Sequence, residues 1–214
     1  MLLENIEFIW LQMFFPEGVK KVGLFLSGGT DSALILYHLA MKDIEVFPVH
    51  GYAVGTPDIN SVQSANEVQN WILMRTGLDG TLKAHLHDIF IHPMDYKDKS
   101  KYYYMKPARL YHEQMFGVTH WMFGTSRGMP DSPRPELRDD RNDTVTPPSE
   151  WSDIISPWAL HDKKHIAKQY KELDILGLSN KTNSCIASSD EPCRVCWWCK
   201  ERYWAFNSFD GGVQ

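Results

Sequence analysis

Residues 21–40 read KVGLFLSGGTDSALILYHLA, and this stretch limits the fold more than any other. An apolar run ends at Leu26, and a helix-forming run is under way by Asp31. Ser27-Gly28-Gly29-Thr30 is all that separates them. A strand that turns straight into a helix is how the strand–helix–strand unit of a parallel sheet begins. The rest of the chain keeps that rhythm. Strands are expected at Lys21–Leu26, Ile44–Val49, His120–Phe123 and Asp153–Ser156, with a weaker one within Leu86–His92. Helical patterns fall between or after them at Asp31–Met41, Ser61–Arg75, Pro107–Phe116 and Asp162–Leu173. The alternation predicts an α/β fold with a doubly wound, mostly parallel sheet, whose ligands lie beyond the carboxyl ends of the strands. With 214 residues there is room for one well-filled core but not for two large domains.

The glycine turn has a chemical reading. The first amides of a helix lack intrahelical partners and carry partial positive charge, so they attract anions. Gly28 and Gly29 let the backbone approach such an anion, and Ser27, Thr30 and Ser32 surround it with hydroxyls. The pattern is that of a phosphate cradle. A Walker loop, G-x-x-x-x-G-K-[ST], would end in a lysine for the terminal phosphates. None follows here, so a pyrophosphate that departs whole suits the turn better than terminal phosphoryl transfer. The plainer alternative is a strand-to-helix turn with Thr30 or Asp31 as an ordinary cap.

Near the other end, Cys185, Cys193, Cys196 and Cys199 follow C-x7-C-x2-C-x2-C, and they are the four cysteines of the sequence. Clustered thiols at this spacing can close a tetrahedral four-thiolate zinc shell, and an iron–sulfur cluster is the rival occupant. His85 and His87 share one face of a strand, with His92 nearby. They have the look of a metal pair, but partly exposed strand histidines without metal are the plainer reading. The aromatic run Tyr102–Tyr104 and the set Trp197, Trp198, Tyr203 and Trp204 suit packing better than base stacking. Residues 126–150, rich in proline and charge, are expected to form a substrate loop.

The balance of 22 basic to 27 acidic side chains, net −5, argues against a chain that mainly coats phosphate backbones, and no direct nucleic-acid binding is expected. The apolar start, MLLENIEFIWLQMFF, is interrupted by Glu4 and Glu7 and has no basic lead. It reads as a docked amphipathic helix rather than a signal peptide or a span, which gives a cytoplasmic protein without membrane contact.

The loop SGGTDS after a strand resembles the SGGxDS loop of the PP-loop ATP pyrophosphatases, which cleave ATP to AMP and pyrophosphate while adenylating a substrate oxygen. Within that superfamily the cysteine pattern resembles the zinc motif of the 7-cyano-7-deazaguanine synthase family, with Thr182, Ser184 and Cys185 matching T-x-S-C ahead of C-x-x-C-x-x-C. PDSPRPEL resembles that family's PDCRPEF segment and places Asp131, Arg134, Pro135 and Glu136 in a substrate loop. ISPWALHDKKHIAK resembles its P-x-x-x-x-x-K-x-x-I stretch and places Lys163 near the phosphates. Two features depart from the family. His50-Gly51-Tyr52 stands where Y-G-Q-R-H is usual, and the loop before Asp131 is shorter.

The resemblance implies an adenine nucleotide alpha-hydrolase-like fold, one domain over residues 1–214 and a zinc-binding motif at 182–207. It implies an ATP-dependent ligase that converts 7-carboxy-7-deazaguanine and ammonia to the nitrile, with ATP, Zn2+ and Mg2+ as cofactors and a homodimer as an allowed assembly. Asp31, Lys163 and Arg134 are then the catalytic candidates, with Arg134 on the substrate carboxylate. Ser27 to Ser32, His50, Gly124 and Thr125 border the nucleotide, with Ser126 next to them. An amide-forming ligase that stops after one ATP, a PP-loop tRNA thiolase and a non-catalytic nucleotide binder are the alternatives.

Overall fold

A computed structural model describes residues 18–53, 59–94, 101–129, 154–185 and 191–212. The expected N-terminal helix, Arg134 and almost all of the 126–150 loop lie outside the described residues. Six strands run in parallel: β1 (Lys21–Phe25), β2 (Glu45–Ala53), β3 (His85–Leu86), β4 (Phe90–Met94), β5 (His120–Phe123) and β6 (Ile154–Ile155). Their order is β3-β2-β1-β5-β6, with β4 pairing β2 beyond β3. From β1 the chain winds outward to β4 on one side, then crosses back to β5 on the other side of β1. That reversal opens a crevice above the carboxyl ends of β1 and β5, where such sheets take their ligands.

The helices are α1 (Thr30–Ala40), α2 (Ile59–Leu78), α3 (Lys101–Phe116), α4 (Lys163–Glu172), α5 (Leu176–Ser179) and α6 (Trp197–Phe206). Alternation along the strands sorts their side chains to two cores. Val22, Leu24, Leu26, Val46 and Met122 pack with buried residues of α1, α2 and α4, including Leu34, Ile72 and Ile166. Phe25, Phe47, Val49, Trp121 and Phe123 pack with Met105 and Ala108 of α3 on the other face. Helices on both faces give the expected doubly wound α/β fold. Gly23 is small because the Trp121 ring lies directly on it, where a Cβ would stand.

Two elements differ from their sequence reading. Where one weaker strand is expected within Leu86–His92, two strands stand, one ending at Leu86 and the other starting at Phe90. β3 ends opposite Val46, and β4 begins opposite Val49, leaving Phe47 and Pro48 of β2 to face His87, Asp88 and Ile89. Pro48 has no N–H to give a ladder, so the break falls where pairing would lose a bond. The third helix starts at Lys101 rather than Pro107, and Pro107 lies inside it. Burial of Met105, just before the proline, gives a packing reason for the extra length that propensity alone does not provide. Among the described residues, no helix is long and apolar enough to cross a membrane.

Candidate functional site

The turn from β1 to α1 is shaped by two glycines that cannot be replaced freely. Gly28 has φ +79°, and a Cβ on it would sit 2.7 Å from the Ser61 carbonyl oxygen. Gly124, just past β5, meets the backbone of Asp31 and Ser32, where a Cβ would lie 2.7 Å from the Asp31 carbonyl carbon. The two carboxyl ends therefore close on the start of α1. Gly29 is the residue before the helix, and a glycine has no side chain with which to cap it. Ser27 and Ser32 face each other with hydroxyl oxygens 3.1 Å apart, and the Gly29 amide donates to Ser27 Oγ at 3.3 Å. A helix start led by glycine and dressed with small hydroxyls suits an anion.

A lysine reaches this turn from far along the chain. Asp162 caps α4, accepting from the His165 amide at 2.9 Å, which sets Lys163 as the first helical residue. Lys163 Nζ lies 2.6 Å from Asp31 Oδ1 and 3.5 Å from Thr30 Oγ1. Ser126 donates to the other Asp31 oxygen at 2.9 Å. Asp31 thus holds at this turn an ammonium that comes from α4, 132 residues later. Asp31 is only 8% exposed, so its carboxylate faces this ion pair as well as the turn.

His50 is buried beneath the turn, not on its surface: Nδ1 lies 2.7 Å from the Leu26 carbonyl and Nε2 lies 3.1 Å from Ser61 Oγ. It ties β1, β2 and α2 together where the cradle opens. Three further anchors were not singled out in the sequence. Trp158 Nε1 donates to the Asp31 carbonyl at 3.1 Å, and the Tyr170 hydroxyl donates to the Thr30 carbonyl at 2.9 Å. Burial holds the Tyr170 phenol well above its usual pKa, so it remains a donor. The Asn183 amide donates to the Gly28 carbonyl at 2.9 Å. Trp158 and Asn183 stand inside motifs quoted for other residues, and Tyr170 reads as one more apolar helix position.

The cysteines converge. The four Sγ atoms lie within 4.8 Å of one another, and all four thiols are free of disulfides. Amides wrap them: Cys193 N–H points to Cys185 Sγ at 3.3 Å, Cys196 N–H to Cys193 Sγ at 3.3 Å, and Cys199 N–H to Cys196 Sγ at 3.4 Å. Arg194 takes a left-handed φ of +60° inside that turn. Backbone N–H groups, that of Cys196 first, bring the Cys193 thiol down to about 6, whereas burial pushes Cys199 up. Four soft donors at ~2.3 Å from one ion would be roughly 3.8 Å apart, close to the 3.9 Å between Cys193 and Cys199. The cluster fits a metal ion.

The structure therefore gathers Ser27 to Ser32, Gly124, Ser126 and Lys163 at one crevice and the four cysteines at a second place. No protein-family model matches the chain, and no curated protein matches it. Among solved structures, the crystal structure of a 4-thiouridine synthetase–RNA complex with bound ATP is similar over 88% of this chain, with 18% identity and a TM-score of 0.43. The chain spans 54% of that protein's length. A likeness of this size assigns neither family nor activity. The expectation of no direct nucleic-acid binding is withdrawn, because that similar structure is itself an RNA complex.

Proposed function

We propose that the chain is an ATP-dependent adenylating enzyme, and that it converts 7-carboxy-7-deazaguanine with ammonia to 7-cyano-7-deazaguanine. The observation that carries the reading is Lys163, brought by a capped helix to the glycine-led start of α1 and held there by Asp31 at 2.6 Å. That arrangement offers backbone amides, hydroxyls and one fixed ammonium to a pyrophosphate. A magnesium ion arriving with ATP would neutralise charge on the leaving pyrophosphate, and Asp31 is the carboxylate at the turn that fits it.

The reaction needs activation because a carboxylate has only oxide to expel. A carboxylate oxygen attacks the α-phosphorus, pyrophosphate leaves, and an acyl-adenylate forms. Ammonia attacks its carbonyl carbon and AMP leaves, giving the amide. The amide oxygen then attacks the α-phosphorus of a second ATP. Loss of both nitrogen protons with the second AMP yields the nitrile. Gly28 to Ser32 and Lys163 would hold the departing pyrophosphate in line, while Gly124 and Thr125 flank the nucleotide. Arg134 is proposed for the substrate carboxylate, to which its planar fork is suited.

The substrate class rests on the cysteine motif and its resemblance. All four cysteines of the sequence stand in one cluster, which leaves none among them to carry sulfur. Zinc is the proposed occupant, in a structural role, since four thiolates close its shell. The test is a mass-spectrometric time course with labelled ammonia that counts AMP per product. One nitrile per two AMP is expected. Amide accumulating at one AMP each would refute the nitrile, and sulfur transfer into RNA would replace the reading with a thiolase.

A further inference from the structure

We propose that Glu45, His85 and His87 form a second metal site, for a divalent transition ion that favours imidazole nitrogen, at the opposite end of the sheet from the glycine turn. Glu45 opens β2 and His85 opens β3, and the two are direct register partners. Partners in register project from the same face, side by side. His87 is two residues beyond His85 and returns to that face, and its amide still donates to the Val46 carbonyl at 3.0 Å. The sequence placed only the histidine pair. The carboxylate comes from a strand 40 residues earlier, which only the sheet register brings alongside.

The geometry fits a shared ion. One ligand atom from each residue lies within 4.8 Å of the other two, and His87 Nε2 is 3.2 Å from Glu45 Oε2. Donors at ~2.1 Å from one ion stand roughly 3.0–3.4 Å apart in octahedral or tetrahedral shells. The His87 ring is already fixed, stacked on Phe47 at 4.0 Å between centroids and 14° between planes. The His85 ring lies 4.3 Å from it. For His87, little side-chain freedom is left for binding to remove. Two imidazoles and one carboxylate select zinc, nickel or copper over magnesium and calcium. Lys21 is the opposing charge. Its Nζ lies 3.6 Å from Glu45 Oε1 and also donates to the Phe116 carbonyl at 2.9 Å, so it weakens the site without occupying it.

The test uses untagged full-length protein with the cysteine cluster loaded with zinc. Nickel titration by calorimetry is expected to find one further ion per chain, without thiolate charge-transfer absorption. His85→Ala, His87→Ala and Glu45→Gln should each weaken it about tenfold or more, the effect of losing one donor at ~1.4 kcal/mol. Lys21→Met should tighten it. Copper bound in place of nickel should give electron paramagnetic resonance coupling to two imidazole nitrogens, falling to one in either histidine variant. Circular dichroism of the variants confirms that they remain folded. No further nickel in the wild type would overturn the proposal. So would unchanged affinity and nitrogen coupling in the His85→Ala/His87→Ala double variant.

Discussion

Asp31 and Lys163 show how one pair of side chains serves both the fold and the site. Their side chains are 11% and 13% exposed, so either charge left alone stays mostly out of water. Lys163→Met or Asp31→Ala should cost about 3 kcal/mol of stability, the lower end of the range for a broken buried pair. Each should also lower AMP formation by about a hundredfold or more. The two roles separate in the double variant Asp31→Asn/Lys163→Met, which should regain stability in urea unfolding yet stay inactive. Stable but inactive single variants would mean that the pair belongs to the site alone. His38 gives a second prediction at this scale. It is buried on α1 with Nε2 3.2 Å from Gln169 Oε1, and desolvation lowers its pKa from 6.5 to about 4. The folded state resists protonation that the unfolded chain accepts. Stability is therefore full above pH 6.5 and falls as the pH drops from there to about 4, by about 3 kcal/mol in all. His161 and His165 are lowered as well, chiefly by desolvation, and add slope of the same sign. His38→Gln should flatten part of the acid limb in unfolding midpoints taken across pH 4–7, and an unchanged limb would assign the slope to the other histidines.

At the scale of elements, the carboxyl ends of β1 and β5 and the start of α1 act as one closed joint. Gly124→Ala would push against the backbone of Asp31 and Ser32. The variant should lose about 1–3 kcal/mol, as overpacked sites do, and bind ATP poorly, measured by thermal unfolding beside nucleotide titration. Wild-type binding would show that the helix start can shift without harm. This joint was half legible in the sequence. Apolar runs bounded by glycine announced β1, β5 and the helix that follows β1, and the chemistry of Ser27 to Ser32 followed from their setting. The lysine position came from resemblance, because nothing local to Lys163 says where a side chain 132 residues from Asp31 will reach. The split between β3 and β4 was written at Pro48, but only the register shows which ladder lacks a donor there. The extension of α3 through Pro107 could not be read, since a tertiary contact at Met105 overrides a local breaker. Glu45 was hidden for the same reason as Lys163: its partners are neighbours in space alone.

Across the whole molecule, the cysteine cluster and the glycine turn are two ends of one hydrogen-bonded segment. Asn183 holds the Gly28 carbonyl, while Ser184 and Cys185 donate their amides to Asp210 Oδ2 at 2.9 and 2.8 Å. Asp210 pairs with Arg202 of α6 at 3.0 Å, and Arg202 donates to Thr182 Oγ1 and the Ser179 carbonyl, each at 2.6 Å. Cys196 begins that same helix as its cap. Metal binding would therefore fix residues 182–185 from both sides and with them the backbone of the turn. Removing the metal with a chelator should weaken ATP binding on the order of tenfold, within the usual span of coupling between sites. Linkage requires the reverse effect as well, so saturating nucleotide should strengthen metal binding by the same factor. Nucleotide titrations of loaded and stripped protein, paired with metal titrations with and without nucleotide, measure both arms. Hydrogen exchange at the Asn183 amide adds a local readout and should quicken on stripping. Equal nucleotide affinity in the two forms, with Asn183 still protected, would leave the cluster as an independent brace for α6.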